Sequence, residues 1–404
     1  MTTSVPAPLD RRAARRAGRG PARPTAPPAS VHLRLLATTD LHVHLVAWDY
    51  FAGRLTPDMG LERTARLIAA ARAEAPNCLL VDNGDFLQGS PLGDHAARRG
   101  RLPPGTLHPA IAAMNALRYD AAALGNHEFD YGLDYLGQAL AGAAFPVLCA
   151  NLVRRRAADP AGDLPLVPPC VILQRPVVDM TGHAHQLRIG LIGLAPPQTV
   201  DWDGAHLHGR IEARDILQTA RAWLPRLRAE GADIVVALAH TGIGQPDPPG
   251  GAENAAAALA LMPGIDAVVA GHDHLVFPSA RFADLPGVDP ARGTIGGTPI
   301  VMAGYGGSHL GVIDLALTPV GTGWRVTDAR AEARAVAAVT LPRRGDPAVR
   351  CAVDGDHRAT IRRLRRRVGS TATPLHSFFA LVADCPSLRL VCDAQAEHVR
   401  AALA

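Results

Sequence analysis

Lysine is absent from the 404-residue chain. All 41 basic residues are arginine, against 37 acidic ones, and alanine, glycine and proline abound. That pattern points to coding bias rather than selection for a basic surface, so the net charge of +4 is no sign of a nucleic-acid polymer as partner. No run of about eighteen apolar residues occurs, which excludes a membrane-spanning helix. The six cysteines, Cys78, Cys149, Cys170, Cys351, Cys385 and Cys392, show no C-x-x-C spacing. They are too sparse for a disulfide scaffold and read as unpaired thiols.

What is present suits a globular protein: 48% apolar residues, and a length sufficient for two or three domains. Residues 1–30, rich in arginine, proline and alanine, read as a disordered basic tail. The tail has twin arginines at Arg11 and Arg12, but no apolar segment follows. It is therefore not a secretory signal as written, and the expected location is cytoplasmic. From residue 31 the chain alternates strand and helix. "VHLRLLATT", "NCLLVDNGD", "LRIGLIGLA", "DIVVALAH", "IDAVVAGHDH" and "PIVMAG" read as strands, with helices at "LERTARLIAAARAEA", "HPAIAAMNAL", "GLDYLGQALAGA" and "ARDILQTARAWLPRLRAEG". That rhythm is α/β. "LGVIDLAL" and "WRVTDARAEARAV" form an antiparallel-looking close.

The stretch "ATTDLHVHL" follows the first strand. Continued as a strand, it would point Asp40, His42 and His44 one way. D-x-H suits a binuclear phosphoesterase and H-x-H an amidohydrolase or phosphoesterase barrel; a loop with two solvated histidines is the plain alternative. Five further pieces bear on the choice, each placing donors just after an apolar strand, where α/β folds build sites. They are "LLVDNGDFLQGS" with Asp85, "LGNHEFDYG" with Asn126, His127 and Asp130, "ALAHTG" with His240, "VAGHDH" with His272 and His274, and "AGYGGSHLG" with His309, a loop placed to border a substrate. Carboxylates, an amide oxygen and imidazoles together suit borderline divalent ions (Mn, Zn, Co or Fe) better than Mg or Ca alone. Two ions about 3.5 to 4 Å apart, sharing one carboxylate, account for so many donors. An amidohydrolase barrel would normally bring a bridging carbamylated lysine, which this chain cannot supply, and it leaves "GNHE" and "GHDH" unexplained.

D-x-H, G-D, G-N-H-E, a strand-end A-H and G-H-x-H, in this order, resemble the calcineurin-like metallophosphoesterases. "LLATTDLHVHLVAWDY", "LLVDNGDFLQGSPLGD", "LGNHEFDYGLDYL", "PPQTVDWDGAHLHGRI" and "VAGHDHLVFP" are most similar to the 2′,3′-cyclic-nucleotide 2′-phosphodiesterase/3′-nucleotidase branch of the 5′-nucleotidase superfamily. The resemblance runs from about residue 31 to the end. It implies a four-layer α/β/β/α sandwich with ligands on loops at one edge. It further implies that Asp40, His42, Asp85 and His274 hold one divalent ion and Asp85, Asn126, His240 and His272 the other. His127 matches the family's catalytic histidine and Asp130 the carboxylate that orients it, with metal-activated water as nucleophile. The substrate implied is a 2′,3′-cyclic nucleotide or 3′-nucleotide. A 5′-nucleotide, a sugar nucleotide or a generic phosphodiester is the alternative, and a truncated fragment that only binds metal is another.

The resemblance also divides the chain: a metallophosphoesterase domain over 31–345, then a linker helix and the start of a C-terminal domain over 346–404. The linker is expected at "DGDHRATIRRLRRRVGS", whose arginines read as a solvated face. Full-length relatives, mostly periplasmic, hold the base on aromatic residues of that second domain. By that resemblance only its opening is expected within these 404 residues, of which aromatics make up 4%. His44, His32, His108, His183, His185, His206 and His208 are expected in solvent or behind the ligands rather than as ligands. Glu128 is expected to be structural.

Overall fold

A computed structural model describes residues 30–98, 100–103, 105–339 and 345–403. The tail expected over residues 1–30 lies, apart from Ser30, outside the described residues.

The first sheet is begun by β1 (Val31–Thr38), and α1 (Leu61–Glu74) leads to β2 (Cys78–Asp82). The helix α2 (Pro109–Leu117) then leads to β3 (Ala121–Ala123), and α3 (Leu133–Leu140) to β4 (Val147–Leu148). These four strands are parallel neighbours. The second sheet starts with a hairpin of β5 (Cys170–Val178) and β6 (Ala184–Leu194). After the short helix α4 (Thr199–Trp202) and the longer α5 (Ile216–Ala229) it continues through β7 (Ile234–Ala239), β8 (Ala267–Ala270) and β9 (Thr298–Ala303), all parallel to β6. Finally β10 (His309–Val320) and β11 (Gly323–Ala335) return as an antiparallel hairpin to the first sheet, whose order is β11-β10-β1-β2-β3-β4.

Alternation along the strands decides how the sheets pack. Val31, Leu33, Leu35 and Ala37 of β1 join Leu79 and Val81 of β2 in one buried cluster with residues of the second sheet, among them Ile189, Leu191, Ile234, Val236 and Val269. The opposite face of the second sheet, including Ile192, Leu194, Val235 and Ala237, packs on Ile216, Ala220, Leu224 and Leu227 of α5. Arg34, on the other face of β1, reaches Ala71 and Glu74 of α1. The layers are thus helix, sheet, sheet, helix, the expected sandwich. Each fully buried Leu or Ile contributes roughly 1.5 to 3 kcal/mol of apolar burial, which fixes the register of strands whose ends carry the site.

Three elements differ from their sequence expectation: β5 (Cys170–Val178) is a strand where none is expected, and two others have different bounds. "ATTDLHVHL" is not a strand beyond Thr38: Asp40, His42 and Val43 have φ of 50°, 45° and 55°. The N–H of Asp40 donates to Gly84 O and that of His42 to Asp85 O, bonds to a neighbouring loop that a straight strand could not make. The basic helix begins earlier than expected, as α6 (Pro347–Leu364), and "RRRVGS" lies beyond it. Val349, Val353, His357 and Thr360 form its buried stripe. The chain divides into two compact units, to Thr360 and from Ile361. In the second unit, α7 (Pro386–Leu403) has no buried residue. No helix among the described residues is long and apolar enough to cross a membrane.

Candidate metal centre

The carboxyl ends of β1, β2, β3, β7 and β8 open along one edge of the sandwich, and the loops leaving them carry every expected ligand. Asp40, His42 and His274 form one group whose donor atoms lie within 4.8 Å of one another; Asp85, His240 and His272 form a second. Asp85 stands between them, its Oδ2 3.0 Å from His240 Nε2 and 3.8 Å from His42 Nε2. Asn126 joins the second group, with Oδ1 3.0 Å from His272 Nδ1. His127 and Asp130 lie beside the groups rather than in them: His127 Nδ1 is 3.0 Å from Asp130 Oδ2, and its backbone N–H donates to Asp85 Oδ1.

The backbone is bent to bring these donors together. Among the described residues seven other than glycine have positive φ, and five of them are Asp40, His42, Asp85, His272 and His274. Asp and His enter this region more readily than bulkier residues, but each still costs roughly 1 kcal/mol or more. The cost is offset by hydrogen bonds that Glu128 organises: its carboxylate accepts from the backbone N–H groups of Asp85, Phe86, Leu87 and Gly125 at 2.7 to 3.0 Å. It therefore ties the Asp85 loop to the "GNHE" loop as a structural clasp. At Gly125 any Cβ would run into Asp85 Oδ1, so only glycine lets the two loops meet.

The donor set fits divalent cations. Asp40 and Asp85 are fully buried carboxylates, and such groups need a compensating charge. Burial pushes Asp40 up to about 7, with the Asp85 charge adding to it. Burial opposes ionisation of Asp85 too, yet His240 and His42 hold it below the usual carboxylate range. Burial pushes His42 down to about 4 and lowers His272 and His274, which keeps these imidazoles in the neutral form that ligates. Nitrogens point inward because outward partners fix the rings: His42 Nδ1 lies 2.9 Å from Gln88 O, and His240 Nδ1 2.6 Å from Asn83 O. His240 Nε2, fully buried, lies 3.0 Å from Asp85 Oδ2 and 3.7 Å from Asp40 Oδ1, and although burial opposes it, these carboxylates push His240 up to about 10, so without a cation the imidazolium itself supplies the compensating charge. His42 Nε2 and His274 Nε2 converge to 2.9 Å, which two lone pairs would not do without a cation or proton to share.

Three contributors were not among the expected site residues, although Trp202 and Tyr305 fall within the segments "PPQTVDWDGAHLHGRI" and "AGYGGSHLG". Glu253 Oε1 accepts from His272 Nε2 at 2.6 Å, leaving Nδ1 for the site. Trp202 stacks on His272 (5.6 Å between centroids, 18° between planes), and Tyr305 on His274 (5.0 Å, 18°). Glu253 comes from far along the turn-rich loop that leaves β7, well past the strand end, and Trp202 from a four-residue helix. The "AGYGGSHLG" loop meets the site through Tyr305, while His309 Nδ1 pairs with Ser308 Oγ. His44 Nδ1 faces Leu41 O, and His108 caps α2 by accepting from Ala110 N–H. His183 and His185 bond Thr181 and Asp179. His206, outside both donor groups, lines the cleft of about 760 Å³ onto which Asn126, His127 and His272 open.

A helix-flanked pair of facing sheets with a mixed carboxylate, amide and imidazole centre at the strand ends defines a metallophosphoesterase. The chain belongs to the calcineurin-like phosphoesterase family, whose model matches residues 33–276, and the family implies divalent metal ions. It is 45% identical over 374 residues, 92% of its length, to a 2′,3′-cyclic-nucleotide 2′-phosphodiesterase/3′-nucleotidase of Salmonella typhimurium. It covers 57% of that relative, little more than half its length. Among solved structures, a calcineurin-like phosphoesterase YfkN from Bacillus subtilis superposes with a TM-score of 0.78 at 40% identity, covering 83% of this chain and all of the other. A putative 5′-nucleotidase from Staphylococcus aureus shares the fold (TM-score 0.64, 22% identity, 88% of this chain and 64% of the other).

Proposed function

We propose that the chain hydrolyses phosphoester bonds of 2′,3′-cyclic nucleotides and 3′-nucleotides at a binuclear centre. Asp40, His42, Asp85 and His274 would hold one divalent ion (Mn, Zn, Co or Fe) and Asp85, Asn126, His240 and His272 the other. The observation that carries this reading is the convergence of two donor groups on Asp85 with His127 beside them. Bound there, such ions would supply Lewis-acid charge to a phosphoryl oxygen and would lower the pKa of the attacking water.

The residues of the chain supply the rest. Asp130 Oδ2 accepts from His127 Nδ1–H and fixes the ring, leaving Nε2 for the substrate. That bond holds the imidazolium up to about 9, although burial opposes it and Asp85 adds to it. His127 is then a proton donor at neutral pH, suited to the departing ribose oxygen. Glu128, with four backbone N–H groups on its carboxylate, is no proton carrier in this scheme. The domain carrying this chemistry spans 31–345, with 346–404 as linker helix and start of a C-terminal domain. The buried stripe of α6 fastens that helix to the first unit as far as Thr360.

The test is hydrolysis of 2′,3′-cyclic AMP, 3′-AMP and 5′-AMP by the purified chain with manganese or cobalt, alongside His127→Ala. Turnover of the first two ahead of the third, lost in the variant, is the expected result. Preference for 5′-AMP would move the assignment to a 5′-nucleotidase. A folded, metal-loaded chain inert towards all three would make it a fragment that only binds metal.

A further inference from the structure

The segment "PPQTVDWDGAHLHGRI" supplies no metal donor, yet its Trp202, Asp203, Ala205 and His206 form one wall of the 760 Å³ cleft that ends at His127 and His272. A phosphoryl group needs only a small part of such a volume, which lies in the range of clefts that enclose a whole small molecule. Trp202 is 49% exposed. One face of its indole is covered by His272 at an interplanar angle of 18°, so the face turned away from His272 is the open one. The short helix that carries Trp202 is also held in place. Gln198 Nε2 donates to Gly251 O at 2.8 Å, Thr199 Oγ1 to Pro196 O at 2.7 Å, and Asp203 N–H to Thr199 O at 3.0 Å. Beneath the indole, His272 is fixed in its own plane by the bond from its Nε2–H to Glu253 Oε1. A planar ligand meeting such a platform has little ordering cost to overcome.

We propose that the open face of Trp202 is a stacking platform for the nucleobase, so that the metal-bearing unit contains a base subsite of its own. This rests on the nucleotide reading above. The ligand class is a nucleoside whose ribose carries the scissile phosphate at the 2′ or 3′ oxygen, with the base lying over the indole and Asp203 or Gln88 within the same cleft for its polar edge. Tyr305 supplies an internal contrast. It stacks on the other ligand imidazole, His274, in the same way but is not among the residues lining this cleft. A role confined to steadying a metal ligand would make the two aromatics equivalent; base binding makes them different.

The experiment uses the full chain with manganese and compares Trp202→Ala, Trp202→Phe and Tyr305→Ala, with metal content measured for each. The substrates are 3′-AMP and the base-free ester glycerol 2-phosphate, and adenosine binding is followed by calorimetry. Base stacking is worth about 1–3 kcal/mol, so Trp202→Ala is expected to lower the kcat/KM preference for 3′-AMP over glycerol 2-phosphate about tenfold, through KM. Adenosine should bind that variant about tenfold more weakly, Trp202→Phe should recover most of both, and Tyr305→Ala should leave the preference intact. An unchanged preference, or equal losses on both esters accompanied by metal loss, overturns the proposal. Adenosine binding needs no turnover: a chain that binds adenosine through Trp202 but cleaves no nucleotide refutes the functional reading alone. One that cleaves 3′-AMP with no adenosine affinity refutes the platform alone.

Discussion

His127 and Asp85 touch through the backbone of one and the carboxylate of the other, but they are placed for different tasks. His127 sits outside both donor groups with its side chain 39% exposed towards the cleft, whereas Asp85 is buried between them. His127→Ala is therefore expected to retain both ions, by elemental analysis, while turnover falls by roughly a hundredfold or more, the scale of lost general-acid catalysis. Loss of metal in step with activity would show that the imidazole is a ligand. Glu253 predicts the opposite pattern. Its carboxylate sets the His272 ring, and partners of this kind shift metal affinity by roughly 10- to 100-fold. Glu253→Ala should weaken one ion and not the other, seen as a biphasic manganese titration where the parent shows two tight sites; an unaltered titration would exclude the role. Asp40, His42, Asp85, Asn126, His240, His272 and His274 were legible because strand ends announce themselves in sequence through a buried run that stops at polar residues. Glu253 was not, since its loop is placed by tertiary contacts, Gly242 N–H to Asn254 Oδ1 and Ala255 N–H to Thr241 Oγ1, that leave no local pattern.

At the scale of elements, the strands whose ends carry the site were read, while β5 (Cys170–Val178), the loop after β1 and the start of α6 were not. Periodicity cannot foresee a run of left-handed residues, because the bonds that impose it, such as His42 N–H to Asp85 O, come from a loop distant in sequence. The start of α6 did leave a local signal: Asp346 Oδ1 accepts from Ala348 and Val349 N–H ahead of Pro347, an aspartate cap with proline at the first helical position. The buried stripe of that helix includes His357, whose Nδ1 meets Tyr50 OH at 2.8 Å. Burial, with Arg350 nearby, pushes His357 down to about 4 from 6.5. The unfolded chain thus binds the proton more readily, so the stability from a neutral His357 is complete above about pH 6.5 and declines as pH falls towards 4. Urea unfolding midpoints, compared between about pH 7.5 and about pH 4.5 on either side of that window, should drop further in the parent than in His357→Gln. Equal drops would mean that His357 is not the group being protonated.

At the scale of the whole molecule, two sheets are packed face to face so that five loops bring buried acids, Asp40 and Asp85, to one edge along with Glu128. An apolar core alone would not tolerate that concentration of carboxylate; it persists because imidazoles and backbone N–H groups share the charge, as the cations proposed above would too. Metal affinity and global stability are then linked, since ions that bind the folded chain and not the unfolded one shift the equilibrium by mass action. At a free concentration a hundred times Kd, one site contributes about 2.7 kcal/mol. For two such sites in a unit of this size, that corresponds to an increase in Tm of roughly 5–10 °C. Dialysis against EDTA should therefore lower the calorimetric Tm by about that much, and manganese should restore it. The Asp85→Ala variant, which lacks the shared carboxylate, should respond to neither. A Tm indifferent to chelation in the parent would mean that the strand-end loops are held by their hydrogen bonds alone, and the binuclear assignment would lose its thermodynamic support.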